Sequence, residues 1–288
     1  MKIGLFGQSL KGKKFDVFQY LTRLLDDREV EWTFGPNVLD KEVDFDRKRM
    51  SDADAYMKTV DYVITLGGDG TILQAISLIG STCTPIVGVN LGRLGFLASI
   101  DSEHLPAALD AIISGNYKVT ERSMLRLESN IPTFEEAPFA LNDFTLHKRD
   151  TSSMITINTF VNGQFLTAYW ADGLIVSTPT GSTGYSLSCG GPIIMPNSGN
   201  LVITPVAPHN LNVRPIILSD ETVISFEIEG RSNAFMCSMD SRFEVITKAH
   251  QLAIRKCDFP ARLVQLNDYS YLANIRKKMA WGVDSRSN

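Results

Sequence analysis

The stretch Asp61-Tyr62-Val63-Ile64-Thr65-Leu66-Gly67-Gly68-Asp69-Gly70-Thr71-Ile72-Leu73 decides how the first half of this 288-residue chain is read. A β-rich apolar run ends on three glycines within four residues, and Ile72 to Ile79 then follow helical spacing. Glycines admit positive φ and let main-chain N–H groups approach an oxyanion closely, while the helix behind them presents unpaired donors and a partial positive charge. That pattern binds phosphate. Its spacing is neither that of the dinucleotide fingerprint nor that of the Walker loop, which needs a Lys-Ser or Lys-Thr pair. Asp69 inside such a turn would repel a phosphate unless it addressed a metal ion or a hydroxyl group, both of which phosphoryl transfer requires. The competing reading is a tight turn whose Asp69 caps the next helix.

Outward from this turn, Lys2 to Phe6 is an apolar run ending at Gly7, Phe15 to Leu25 has helical periodicity, and Pro85 to Asn90 reads as another strand. Alternating strands and helices predict a Rossmann-like α/β domain with a parallel sheet. Ligands of such sheets sit at the carboxyl ends of the strands, where Gly7, Gly67 and Asn90 fall. From about Lys118 helical periodicity disappears. Met154 to Val161 precedes Asn162-Gly163, a hairpin turn, and Val202 to Thr204, Val223 to Ile228 and Phe243 to Thr247 are further strand-like runs. The expected architecture is α/β followed by a mostly antiparallel β-sandwich domain. Residues 1–120 with about 262–288 form the first domain and 121–261 the second. Asp268 to Trp281, again amphipathic and helical, is expected to pack back on the first. The mixed-charge run between residues 38 and 60 offers few core positions and reads as a solvated helix or surface loop.

Composition narrows the function classes. Apolar residues are 44% and charged residues 21%, ordinary values for a globular protein. A formal net charge of −4 argues against a nucleic-acid partner, though not against phosphorylated small molecules held by backbone amides. No segment has the length of a membrane span or a signal-peptide core, so no membrane partner and a cytoplasmic location are expected. Cys83, Cys189, Cys237 and Cys257 are scattered, which suits buried reduced thiols. The four histidines have no metal-ligand spacing, and no serine sits in a nucleophile elbow.

A second cluster runs from Asp172 to Ser188 and places a β-run before a loop crowded with hydroxyls and glycines. Hydroxyls and glycine amides suit ribose and phosphate oxygens, and Tyr185 could stack on a ring. Asn142-Asp143 pairs an amide with a carboxylate, a combination suited to ribose hydroxyls and a base or carboxamide edge, and equally a turn signal.

Together, the Gly67 to Thr71 turn, the Asn90 to Leu97 segment, Asn142-Asp143 and the Asp172 to Ser188 stretch resemble the NAD kinase family, over roughly Tyr62 to Arg242. The resemblance implies transfer of the terminal phosphate of ATP to the adenosine 2′-hydroxyl of NAD, a divalent metal (magnesium or manganese) of unknown ligands, and a homodimer or homotetramer. By position, Asp69 resembles the catalytic base, Gly70 lies at the substrate, and Gly67, Gly68 and Thr71 lie near the donor phosphates. Phe96 resembles a residue near the adenine, Asn142 and Asp143 the pair at the adenosine ribose, and Asp172 the carboxylate near the nicotinamide. Thr183, Gly184, Tyr185, Ser186, Leu187 and Ser188 resemble the dinucleotide-binding turn, partly supplied by a neighbouring subunit, and Arg242 completes the implied NAD set. Asp143 stands where many relatives have glutamate, Gly184 where alanine is usual, and Arg242 where glutamine is common. Trp170 and Ser153 replace basic or polar groups. A lipid kinase of the diacylglycerol type, which shares the Gly-Gly-Asp-Gly-Thr turn, and a dinucleotide sensor without catalysis are the alternatives.

Overall fold

The computed structural model describes residues 1–92, 95–149, 153–267 and 269–281. Arg93 and Leu94 of the Asn90 to Leu97 segment, together with Asp268 and residues 282–288 of the C-terminal segment, lie outside them. In chain order the first elements are β1 (Lys2–Gly7), α1 (Lys13–Asp26), β2 (Glu31–Phe34), β3 (Tyr62–Gly67), α2 (Asp69–Ile79), β4 (Ile86–Asn90), β5 (Ile100–Asp101), α3 (Leu105–Ile113) and β6 (Tyr117–Arg122). Then come β7 (Leu125–Ser129), β8 (Phe139–Ala140), β9 (Asp143–Lys148), β10 (Ile155–Val161), β11 (Gln164–Ala171), β12 (Gly173–Ser177) and α4 (Tyr185–Ser188). The chain continues through β13 (Asn200–Val206), β14 (Ile216–Ser219), β15 (Ile224–Glu229), β16 (Phe235–Met239), β17 (Arg242–Ile246), β18 (Leu252–Lys256), β19 (Ala261–Leu266) and α5 (Tyr271–Lys278). It divides into two compact units, Met1–Thr120 joined by the chain from Arg262 onward, and Glu121–Ala261.

In the first unit a seven-stranded sheet runs in the order β2-β1-β3-β4-β19-β6, with β5 beside β4. The pairs β1–β2, β1–β3, β3–β4, β4–β5 and β4–β19 are parallel. Gly67 and Asn90 are register partners at the carboxyl ends of β3 and β4. Helix α1 buries Phe18, Leu21, Thr22 and Leu25, and α2 buries Ile72, Ala75, Ile76 and Ile79, each a one-face pattern of spacing three and four. Gly80, with φ near 60°, stops α2. Two features depart from the sequence reading. The C-terminal segment returns as a strand inside the sheet before it forms α5. The charged run after Val38 is anchored, since Val38, Leu39, Tyr56 and Met57 are buried and Phe45 packs edge-on against Phe15, Phe18 and Phe34. Charge density concealed those scattered apolar anchors.

The second unit is a sandwich of two six-stranded antiparallel sheets, β11-β10-β15-β18-β7-β8 and β14-β13-β12-β9-β16-β17. Alternate residues of both fill one core, where Phe144 of β9 stacks on Phe226 of β15 with ring centroids 5.9 Å apart. Burying each such ring contributes about 1.5–3 kcal/mol. The β10–β11 hairpin turns on Asn162 and Gly163, both at positive φ, as that dipeptide predicts.

Candidate functional site

The glycine turn works differently from its first reading. None of Gly67, Gly68 and Gly70 takes a positive φ. Gly67 is needed for space, because a Cβ there would lie 2.1 Å from Thr71 Oγ1. A Cβ on Gly68 or Gly70 would meet nothing within 4 Å, so the main chain is bare where the first amides of α2 lack intrahelical acceptors. Helix α2 already begins at Asp69, with Gly68 as N-cap and no side-chain cap hydrogen bond. Asp69 is therefore not a helix cap.

Its carboxylate reaches across to the segment after β4. Oδ2 accepts from Phe96 N at 2.7 Å, and Oδ1 from Leu97 N at 3.0 Å and Ala98 N at 3.1 Å. A carboxylate offers about four acceptor positions, so among the described residues one on Oδ2 stays open. Gly95 makes this approach possible, since a Cβ there would fall 1.8 Å from Asp69 Oδ1. The Lys278 ammonium lies 5.8 Å from the centroid of the Phe96 ring.

In the second unit an equivalent staple holds Asn142 and Asp143. Asp240 Oδ2 accepts from Leu141 N at 2.9 Å, and Oδ1 from Asn142 N at 2.7 Å and Asp143 N at 3.3 Å. Asp240 occupies the two-residue β16–β17 turn at φ 53°, and enclosure of its carboxyl pushes its pKa up against the lowering by these amides. The Asp143 carboxyl is buried and its pKa rises to about 7, first by burial, then by the Asp240 charge, with the Thr145 hydroxyl opposing. Among the described residues the Asn142 side-chain amide has no hydrogen-bond partner, while its backbone carbonyl accepts from Thr178 N and the Ser177 hydroxyl. Asp172 pairs with Lys148 Nζ at 2.5 Å.

Most hydroxyls of the Asp172 to Ser188 stretch are spent internally. Thr178 donates to Leu141 O, Ser182 to Pro179 O, and Thr183 to Thr180 O. Ser186 pairs with Thr204, and Gly181 fits only because a Cβ would lie 2.1 Å from Asn142 O. These contacts lock the loop onto the Asn142 backbone. Gly184, Tyr185, Leu187 and Ser188 keep exposed surface, and the Tyr185 hydroxyl pairs with the Cys189 thiol. Arg242 donates both terminal nitrogens to the carbonyls of Ala137 and Phe139. Sequence reading missed Asp240, Lys148 and the steric need for Gly95 and Gly181. A lone Asp in a turn, a strand lysine and isolated glycines carry no signal until their partners are in place.

Among the described residues no three His, Cys, Asp or Glu side chains gather to hold a metal ion, and no helix is long and apolar enough to cross a membrane.

Comparison with known proteins agrees with both units. The family model for the ATP-NAD kinase N-terminal domain matches residues 20–117, and that for the ATP-NAD kinase C-terminal domain matches residues 141–266. The NAD kinase of Cytophaga hutchinsonii is 44% identical over the full length of both chains. Two solved structures share the fold. Yeast NADH kinase complexed with NADH has a TM-score of 0.87 at 23% identity, covering 100% of this chain and 89% of its own. An NAD kinase from Archaeoglobus fulgidus in complex with ATP has a TM-score of 0.78 at 24% identity, covering 97% and 99%. The bare glycine turn, its loop-stapling aspartate and the full-length relatives lead to one conclusion: the chain belongs to the NAD kinase family.

Proposed function

We propose that this protein transfers the terminal phosphate of ATP to the adenosine 2′-hydroxyl of NAD, giving NADP and ADP. The observation that carries the reading is the Asp69 carboxylate, positioned by three backbone amides and, among the described residues, left with one open acceptor position on Oδ2 at the N-terminus of α2. In the transfer, the acceptor oxygen bonds to the γ-phosphorus, the bond from phosphorus to the β,γ-bridging oxygen breaks, and the hydroxyl proton passes to Asp69. The bare amides at Gly68 and Gly70 and the α2 dipole hold donor phosphates, with Gly67 and Thr71 shaping the turn.

For the acceptor, Gly70 and Phe96 lie beside the reacting adenosine, Asp143 accepts from ribose hydroxyls, and the unpartnered Asn142 amide reads a polar edge. Asp172, oriented by Lys148, addresses the nicotinamide carboxamide. The exposed part of Thr183 to Ser188, Tyr185 above all, packs on the dinucleotide, while Ser186 acts through its bond to Thr204. Arg242 acts through the chain it holds at Ala137 and Phe139. The divalent cation enters with the donor, as the metal complex of ATP. Three of the four acceptor positions of Asp69 are filled and no three-ligand cluster stands among the described residues, so a resident ion does not fit.

Incubating the purified protein with NAD, ATP and magnesium should yield NADP, read by chromatography. Binding of NAD without NADP would identify a dinucleotide sensor, and phosphorylation of diacylglycerol in its place would identify a lipid kinase.

A further inference from the structure

The peptide unit that joins Gly95 to Phe96 is held at both ends, and both holds lie within the first unit. Its N–H donates to Asp69 Oδ2 at 2.7 Å, and its C=O accepts from Asn274 Nδ2 of α5 at 3.4 Å. Gly95 is buried, and among the described residues Asn274 is the one donor its carbonyl meets. A peptide group is planar, so a bond that fixes the carbonyl also fixes the direction of the N–H on its far side. Donation to the carbonyl polarises the group and strengthens the bond its N–H makes to Asp69.

For stability alone, asparagine is a poor choice at this position. It lies in the middle of an eight-residue helix, where it ranks below most residues, it is 8% exposed, and among the described residues its Oδ1 has no hydrogen-bond partner. The amide cannot turn over to relieve that oxygen, because Gly95 O only accepts and needs Nδ2 facing it. A second bond of Nδ2, to the Tyr269 hydroxyl at 3.4 Å, keeps the same orientation. One turn further along the same helix face, Lys278 lies over the Phe96 ring, so α5 addresses both residues of the peptide. Strand β19 brings the helix there by pairing with β4, the strand that leads into this loop. A local departure from the stable choice, aimed at the group that grips Asp69, is the mark of a functional position.

We propose that Asn274 is a positioning residue of the phosphoryl transfer: it sets the Gly95–Phe96 peptide and, through it, the direction in which the Asp69 carboxylate meets the acceptor hydroxyl. The proposal rests on the reading of Asp69 as proton acceptor. Both hydrogens of the Asn274 amide are engaged by Gly95 O and the Tyr269 hydroxyl, so its effect passes through the loop. It therefore acts on kcat and leaves donor binding alone.

The test is Asn274→Leu, which keeps the shape of the side chain and removes both the donor and the unmet oxygen, so the full chain should melt close to the wild-type temperature. Its kcat for NADP formation should fall about five- to twentyfold, with the KM for ATP within about twofold of the wild type. In an Asp69→Asn background the same substitution should change the residual kcat by less than about twofold, because the bond it acts through is already gone. An asparagine that only supported the fold would lower kcat by the same factor in both backgrounds. Hydrogen exchange of the ligand-free protein reads the positioning without turnover, and the Phe96 amide should exchange about tenfold faster in Asn274→Leu while the amides of α2 keep their rates. Unchanged kcat in Asn274→Leu, equal factors in the two backgrounds, or an unchanged Phe96 amide overturns the proposal. Near-normal kcat in Asp69→Asn, or no NADP from any form, overturns the reading of Asp69 instead, and the exchange rates then decide whether Asn274 holds the peptide. Should Asn274→Leu lose its melting transition, Asn274→Ala decides by the same measurements.

Discussion

Asp69 in the first unit and Asp240 in the second make the same three bonds. In each, Oδ2 takes the first of three consecutive backbone amides and Oδ1 takes the next two, Phe96 to Ala98 in one case and Leu141 to Asp143 in the other. Their surroundings differ. Asp69 opens a helix between two glycines that present bare main chain. Asp240 sits in a hairpin turn with its carboxyl enclosed, and its charge acts on Asp143 on one side and Arg242 on the other. One geometry thus serves two ends. A carboxylate stapling three amides is a rigid part in either place, and the access left to its remaining lone pair decides whether it can also take a proton.

Asp69→Asn tests the chemical half of that difference and should give the largest effect. The new amide keeps an oxygen for Leu97 and Ala98 but presents a donor to Phe96 N, so one staple bond is lost along with the base. NADP formation should fall by about 10²–10⁴-fold in kcat, the range for loss of a positioned base. If Asp69 were only a staple, kcat would stay near normal and the KM for NAD alone would rise.

The matched substitution Asp240→Asn removes the same single bond, from Leu141 N, without touching a reacting atom. Its expected signature is a loss of about 1–3 kcal/mol in stability, the cost of an unmet buried donor, in urea melts of the ligand-free protein. Its kcat should stay within tenfold of the wild type. Equal kcat losses in the two variants would erase the distinction between catalytic and structural staples.

The same comparison shows what the sequence discloses. The Gly67 to Thr71 turn was legible because a strand, a glycine cluster and a helix are local patterns, and the Asn162-Gly163 hairpin because two positive-φ positions select their residues. The parallel sheet and the sandwich followed from periodicity. The return of β19 beside β4 was not legible, since strand order depends on pairing between residues far apart, here Leu263 with Ile86. Nor could hydroxyl density reveal that Ser182 and Ser186 fasten the loop to itself. Asp69 itself was half legible. Its turn marked it for chemistry, but the three amides that hold it lie 27 to 29 residues away.

Asp143 gives the smallest and most diagnostic effect, because its titration joins the second staple to ligand binding. Its folded pKa of about 7 stands above the unfolded carboxyl value of about 3.9, so the folded state holds the proton more tightly. The stability this contributes is fully present below about pH 4 and is lost as pH rises through about 7. The melting temperature of the ligand-free protein should fall between pH 5 and 8, and Asp143→Asn should flatten that slope by roughly 2–3 kcal/mol across the window. NAD affinity should run the other way, since only the ionised carboxylate accepts two ribose hydroxyls, and should rise over the same window. In Asp240→Asn the second cause of the shift is removed, so both midpoints should move below 7, as expected for two carboxyls that titrate as a pair. Midpoints that stay in place would leave burial alone responsible for the Asp143 shift, and would detach the Asp240 staple from ligand binding.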